Sequence, residues 1–356
     1  MEFHGQLNAN KIFTALFNQI ISQQVFADNI KGTNSALVDM ARVDGTLYGD
    51  TKLYYSTDAL QSYAWGADEE ATNLLQLDRP KAPECQKIEL DVFRQIRLTV
   101  DNYLTKQAWM SDSSFSSFND VMKGWIQDTK KIYDSTTYNC YVGTTETAVG
   151  AQTQTVTLDG EQNPALVMAE KLANILVEIQ DVSRDFNDYG HIRSYDESDM
   201  ICVWNAEHYN ALKKVDMPVI FHKEGLLNEF DQKVLPAKYF GTLLGLTDAP
   251  ATVPSAGTYR AVKEITLTVA GQPKHFFAGD IVPAGTDVKG NEVYKQDDTI
   301  AFKLIHKGSI PYMSAFQVGT SFFNPRSLTE NNYLTFGHNT LQYLKNYPLI
   351  TCRVVG

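Results

Sequence analysis

The stretch K-I-E-L-D-V-F-R-Q-I-R-L-T-V-D-N-Y-L, Lys87 to Leu104, decides the fold. Every second residue, Ile88, Leu90, Val92, Arg94, Ile96, Leu98, Val100, Asn102 and Leu104, falls on one side, and that side is mainly apolar. The other side carries Lys87, Glu89, Asp91, Phe93, Gln95, Arg97, Thr99, Asp101 and Tyr103. A period of two predicts a half-buried β-strand. At about 3.3 Å per residue it would run roughly 56 Å, about three times an ordinary strand. A compact globule of 356 residues has a radius of gyration near 20 Å and so a diameter of roughly 50 Å. The strand is expected to bend or to leave the body of its subunit. An apolar face carried outside the core needs another surface to cover it, which points to assembly.

Upstream, T-L-Y-G-D-T-K-L-Y-Y-S-T precedes an acidic stretch at Gly66, Asp68, Glu69 and Glu70 and then Arg79-Pro80-Lys81-Ala82-Pro83. Tyr48 to Leu104 reads as one long hairpin whose tip is acidic and Pro-rich, with Trp65 nearby. Further upstream, Ile12, Phe13, Leu16, Phe17, Ile20 and Ile21 give a short amphipathic helix over Asn10 to Asp28. Downstream, Phe115, Phe118, Met122, Trp125, Thr129 and Ile132 recur at helical spacing, predicting a helix over Ser113 to Ser135 with one buried face. Ser114 or Ser117 would cap it. On that reading Trp125→Asp should give insoluble protein.

Tyr138 to Gly160 reads as loop with one strand at most, and Asn163-Pro164 opens a second helix carrying Met168, Leu172, Ile175, Ile179, Val182 and Phe186. Asp199 to Val203 is a short strand, with Trp204-Asn205 leading into a helix, Ala206 to Lys213. Met217 to Phe221 and Tyr239 to Gly245 look like strands, and Ala249 to Gly257 like a linker. Residues 258–308 have the Gly/Pro punctuation of a small all-β unit.

Composition supports a large core, with 43% apolar and 11% aromatic residues. A net charge of −11 argues against a dedicated nucleic-acid reader. Cys85, Cys140, Cys202 and Cys352 lie far apart with no C-x-x-C, so four reduced thiols are expected. The beginning of the chain has no signal-peptide pattern and no window is apolar enough to span a membrane, so synthesis in the cytosol and no membrane partner are the expectation.

The search for catalytic motifs returns nothing: no phosphate-binding loop, zinc-protease helix, dinucleotide fingerprint or nucleophile elbow is present. No catalytic residue and no cofactor is expected, and the dispersed histidines, His191, His208 and His222 among them, read as solvated or structural. One near match to a calcium loop runs from Asp185 through Asn187 to Asp196, spoiled by Tyr189 and Arg193. A glycan-acting protein, using Asp196 and Glu197 beside aromatic side chains, is a competing reading.

The segment D-M-I-C-V-W-N-A-E-H-Y-N-A-L-K-K, Asp199 to Lys214, resembles a strand–Asn–helix element of tailed-bacteriophage major capsid proteins, as does F-D-Q-K-V-L-P-A-K-Y-F-G-T-L-L-G beyond it. The order of elements is similar to the Hong Kong 97-type capsid fold, at 1–45, 46–110, 113–135, 164–186 and 199–214. The resemblance implies an α+β fold with a long β-hairpin (E-loop), a spine helix, and peripheral and axial domains. It divides the chain into an N-terminal arm at 1–45, the hairpin and adjoining strand at 46–110, and the spine helix with a peripheral-domain segment at 111–160. An axial-domain segment at 161–257, a small β-rich unit at 258–308 (axial elaboration or insertion) and C-terminal return strands at 309–356 follow. Function is then expected to be self-assembly into pentamers and hexamers of an icosahedral or prolate head around double-stranded DNA. A separate scaffolding protein, a portal and non-specific contact with packaged DNA are the implied partners, and the virion is the implied location. Trp65, Ile88, Leu90, Val92, Ile96, Leu98, Val100, Trp125, Trp204 and Asn205 are the expected assembly and structural residues. A cellular nanocompartment shell is the alternative with the same fold.

Overall fold

The computed structural model describes residues 36–45, 49–62, 79–101, 112–158, 164–213, 231–243, 251–289 and 292–355. The expected helix over Asn10 to Asp28, the strand at Met217 to Phe221 and Trp65 lie outside them. The opening strand is present as β3, Glu84–Asp101, beginning three residues earlier than its alternation suggests. Ile88, Leu90 and Val100 are buried, Val92, Ile96 and Leu98 are half-buried, and Lys87, Glu89, Asp91, Gln95, Arg97 and Thr99 are exposed.

A helix α1, Ala36–Met40, and a strand β1, Arg42–Asp44, come first. β2, Thr51–Ser56, forms a hairpin with the first third of β3, Thr51 opposite Glu89 and Ser56 opposite Glu84. The rest of β3 pairs with β16, Thr329–Asn339, from the same chain. β16 in turn pairs with β15, Tyr312–Asn324, giving a sheet of order β1-β15-β16-β3-β2. This corrects the expectation that only neighbours complete the long strand: residues 310–340 return across the subunit to cover its far half.

The second sheet has the order β4-β17-β14-β5-β6: β4 Thr153–Thr157, β5 Met200–Asn205, β6 Asp231–Leu235, β14 Ile300–His306 and β17 Leu349–Val355. The continuous apolar run of β5 signals a strand covered on both sides, and every one of its residues is buried. Met200, Cys202 and Trp204 meet Met168, Leu172, Ile175 and Ile179 of helix α3, Pro164–Gln180. Ile201 and Val203 face the opposite way, toward Tyr138, Cys140 and Val142 of helix α2, Asp112–Thr144. Trp204 also packs on Phe302 at 4.8 Å between ring centroids. Asn205 then caps helix α4, Ala206–Lys213, accepting the Glu207 N–H at 3.2 Å and donating to the Ile300 carbonyl at 3.0 Å. Trp204 and Asn205 are thus core and cap residues within one subunit.

The spine helix α2 is 33 residues long, about 50 Å. It runs through Tyr138 to Thr144, a stretch whose Thr-rich composition reads as loop. Its buried stripe runs through Ile126, Tyr133 and Cys140, one position on from Trp125, which is 39% exposed. Trp125→Asp is therefore no core substitution. Gly143 lets the helix lie against the Ala237–Tyr239 turn, because a Cβ there would fall 2.0 Å from the Tyr239 carbonyl oxygen. Helix α3 stops at Gln180, leaving Val182 exposed, while Phe186 is buried from the following loop.

Three small sheets complete the fold: β7 Gly241–Leu243, β13 Val293–Gln296 and β9 Tyr259–Ala261 in the order β7-β13-β9; β10 Ile265–Val269 with β11 Gln272–Phe276; and β8 Ala251–Thr252 with β12 Asp287–Val288. They surround a core of Val253, Tyr259, Ala261, Leu267, Phe276, Val282, Val288 and Val293. The stretch expected as a linker, Ala249 to Gly257, contributes β8 and the buried Val253 to that core. β14, inside the expected 258–308 unit, instead sits in the second sheet. The four cysteines are free thiols, with Cys85 exposed and the others buried.

Ile175, fully buried between α3 and the second sheet, should lose about 2–5 kcal/mol of stability on truncation to Ala. Trp125→Ser should leave a soluble, cooperatively melting subunit. Urea denaturation of the two variants checks both.

Candidate assembly surface

Two parts of the first sheet carry large apolar side chains into solvent. On the hairpin these are Leu53, Tyr55 and, beyond it, Leu60. Alternation makes the split: Leu53 and Tyr55 point outward opposite Lys87 and Cys85, whereas Tyr54 packs beside Ile88, Leu90 and Met313. At the far end of β15 and β16 they are Val318, Phe322, Phe323 and Leu328, with Phe322 63% and Phe323 49% exposed. The turn there holds Leu328 at φ 55°, a left-handed conformation that costs a side-chain-bearing residue about 1–2 kcal/mol. A third feature is a groove of about 470 Å³ bounded by Phe93, Ile96, Thr129, Tyr133 and Phe336, one helical turn from the exposed Trp125.

A buried polar chain fixes this sheet to the spine helix. Asp134 of α2, almost wholly buried, receives hydrogen bonds from Lys130 Nζ at 2.6 Å, the Tyr312 hydroxyl at 2.7 Å and Arg42 at 3.3 Å. A buried carboxylate needs such company, since leaving it unpaired costs several kcal/mol. Next to it, the Tyr133 hydroxyl meets His338 Nε2 at 2.7 Å, and His338 Nδ1 lies 2.8 Å from the Asn339 carbonyl. A carbonyl only accepts, so Nδ1 bears the proton and Nε2 accepts from Tyr133. Arg94 of β3 covers the Tyr133 ring at 4.9 Å and pairs with Glu264 at 2.9 Å, tying the small β-unit to the same chain. Burial raises Tyr133 to about 12 and holds His338 below the usual imidazole range.

Ile88, Leu90 and Val100 serve the interior of this sheet, Val92, Ile96 and Leu98 are half-buried along it, and Trp125 of the spine helix reaches solvent. Asp185, Asn187 and Asp196 form no cage: the Asn187 side chain is turned onto the backbone of His191, Asp185 accepts from Ser183, and Asp196 faces outward. Among the described residues no cluster of three His, Cys, Asp or Glu groups could hold a metal ion. The β15–β16 patch escaped the sequence reading, although the uncharged run Gln317 to Asn324 was a visible signal.

The family model for the Phi29-like phage major capsid protein matches residues 3–350. The chain belongs to that family. No curated protein sequence matches this capsid protein. Its fold is similar to a chain of "Structure of head fiber and inner core protein gp22 of native bacteriophage P68", with TM-score 0.61 and 11% identity over 88% of this chain and 83% of that one. It is similar also to "Capsid structure of Staphylococcus phage Andhra", with TM-score 0.58 and 11% identity over 94% of this chain and 87% of that one. The α+β architecture is that of phage capsid subunits, in keeping with the Hong Kong 97-type fold. The subunit forms the capsid shell by self-assembly and its place is the virion.

Neutral His338 makes the capsid subunit acid-sensitive. Its folded pKa lies below the unfolded value near 6.5, so the stability it carries is present above about pH 6.5 and is lost as pH falls through the depressed value. His338→Gln, which keeps an acceptor for Tyr133, should flatten the fall in thermal midpoint between pH 7 and 5. The half-buried His306, also shifted down by burial, should retain part of the slope.

Proposed function

We propose that this capsid protein closes its shell through the hairpin arm of β2 and β3, which lays Leu53, Tyr55 and Leu60 on the next subunit of a pentamer or hexamer. The observation that carries the reading is this outward apolar face on the β2–β3 hairpin, because exposed clusters of this kind mark surfaces that other proteins cover. The groove beside Trp125 and the β15–β16 tip are the complementary surfaces. Contacts of this sort run head to tail, and head-to-tail contacts close into rings. Each one is small, and the shell multiplies them.

The shell encloses double-stranded DNA, with a separate scaffolding protein and a portal as further partners and the host cytoplasm as the site of synthesis. Contact with packaged DNA is non-specific, since a net charge of −11 leaves no general attraction for phosphate. The subunit acts by assembling and carries out no catalysis. Two buried ionisable groups are occupied in structure: Asp134 in the helix–sheet chain, and Lys303 donating to the Thr145 carbonyl at 2.7 Å.

Leu53→Asp combined with Tyr55→Asp replaces two exposed side chains and should leave the thermal midpoint of the subunit nearly unchanged. Closed particles, counted by electron microscopy after sedimentation, should disappear. Wild-type yields of normal particles would remove the role given to the hairpin.

A further inference from the structure

We infer that the outer edge of β15, from Gln317 to Asn324, is a strand-pairing site for a second copy of this chain. The inference rests on the shell-forming reading and gives the β15 side of the β15–β16 tip a mode of contact, strand pairing, that the reading leaves open. Ser314 is paired on both sides, to Asp44 of β1 and to His338 of β16, so β1 and β16 occupy opposite edges of β15. β1 ends there. β16 continues along the inner edge as far as Asn324, whereas among the described residues no strand lies against the outer edge beyond Ser314. Backbone groups of successive residues point alternately to the two edges, so about half of those in this stretch aim their N–H and C=O outward, away from β16 and toward no strand among the described residues.

Edges of this kind are normally blunted by charge, by proline or by being short. β2 carries Lys52, β6 carries Asp231 and Lys233, and β11 carries Pro273 and Lys274. Gln317-Val318-Gly319-Thr320-Ser321-Phe322-Phe323-Asn324 contains neither charge nor proline and spans about 27 Å. Val318 and Phe322 point to one face and Phe323 to the other, and all three are exposed. A partner strand would therefore gain ladder hydrogen bonds and apolar contacts on both faces.

Charge identifies the occupant. Two copies of a chain with net charge −11 repel over most of their surfaces. An uncharged edge is where like-charged copies can meet without that cost, and it offers nothing to steer an oppositely charged protein. The family assembles from many copies of itself, so a second copy is the strand donor.

Adjacent proline variants test this. N–H groups of neighbouring residues point to opposite edges, so of Thr320→Pro and Ser321→Pro one removes a donor from the β16 ladder and the other a donor from the outer edge. The first should lower the thermal midpoint of the subunit. The second should leave the midpoint in place and cut the yield of closed particles at least tenfold. Deuterium exchange supplies the second measurement: in dissociated wild-type subunits every other amide from 317 to 324 should exchange fast, and in wild-type particles all should be slow. Wild-type particle yields from both variants, or alternate amides that stay fast in particles, would overturn the inference while leaving the shell reading intact. Slow alternate amides only in particles carrying a second protein species would assign the edge to that protein and overturn it too. Wild-type chain that forms no closed particles would overturn the shell reading itself.

Discussion

The backbone of β3 must be hydrogen-bonded along its whole length, and among the described residues no single strand is placed to do it. β2 takes Glu84 to Glu89 and β16 takes Leu90 to Asp101, the latter with one irregularity where Asn339 comes opposite Leu90. This division gives the subunit its two ends. The part shared with β2 becomes a hairpin whose Ser56 and Gln86 bond to Asn346 and Tyr343 of the body, and the part shared with β16 becomes a sheet against the spine helix. Everything that bears on assembly, from Leu53 and Tyr55 to the groove at Phe93 and Ile96, is placed by how that one strand is apportioned.

What holds the sheet to the helix is a mixture of apolar contact and a polar chain that joins six stretches far apart in sequence. Tyr133 packs edge-on against Phe336 at 5.5 Å, and Tyr312 stacks on His338 at 5.3 Å. Asp134 sits between them with three donors. In a dry layer such a group admits few alternative arrangements, because any shift that breaks one of its bonds exposes the cost of a buried charge. A subunit that must present its arms at a defined angle to its neighbours benefits from a junction with one geometry.

Much of this was legible in the residues themselves, and the failures share a cause. The alternation over Lys87 to Asp101, the helix start at Pro164 and the helix Ala206–Lys213 were readable because each has one wet side and one dry side, or a cap. The spine helix misled where it ceases to be two-sided: past Tyr133 it carries Asp134, Ser135 and Asn139 inward as well as Tyr138, Cys140 and Val142. With polar groups buried by long-range bonds, the apolar rhythm no longer marks the interior, and it points to Trp125 where Ile126 is the buried residue. β14 and the Ala249 to Gly257 stretch failed for a related reason: which sheet a short strand joins depends on partners remote in the chain. On the candidate surface the hairpin was visible from its alternation. The β15 patch was not, since only the ending of β1 at Asp44 shows that, among the described residues, its outer edge has no strand beyond Ser314.

The place of β17 sets a condition on how this subunit comes into being. It lies between β4 and β14, parallel to the one and antiparallel to the other, with Thr351 opposite both Thr153 and Lys303. The middle of the second sheet therefore waits for residues made about 200 positions after β4, which at ribosomal rates is roughly 10–40 s. Until then β14 has only β5 beside it, and α3 lacks Ile350 and Cys352 beneath it. A polypeptide still under translation, or one cut short before Leu349, lacks the strand that joins β4 to β14, so its second sheet stays divided.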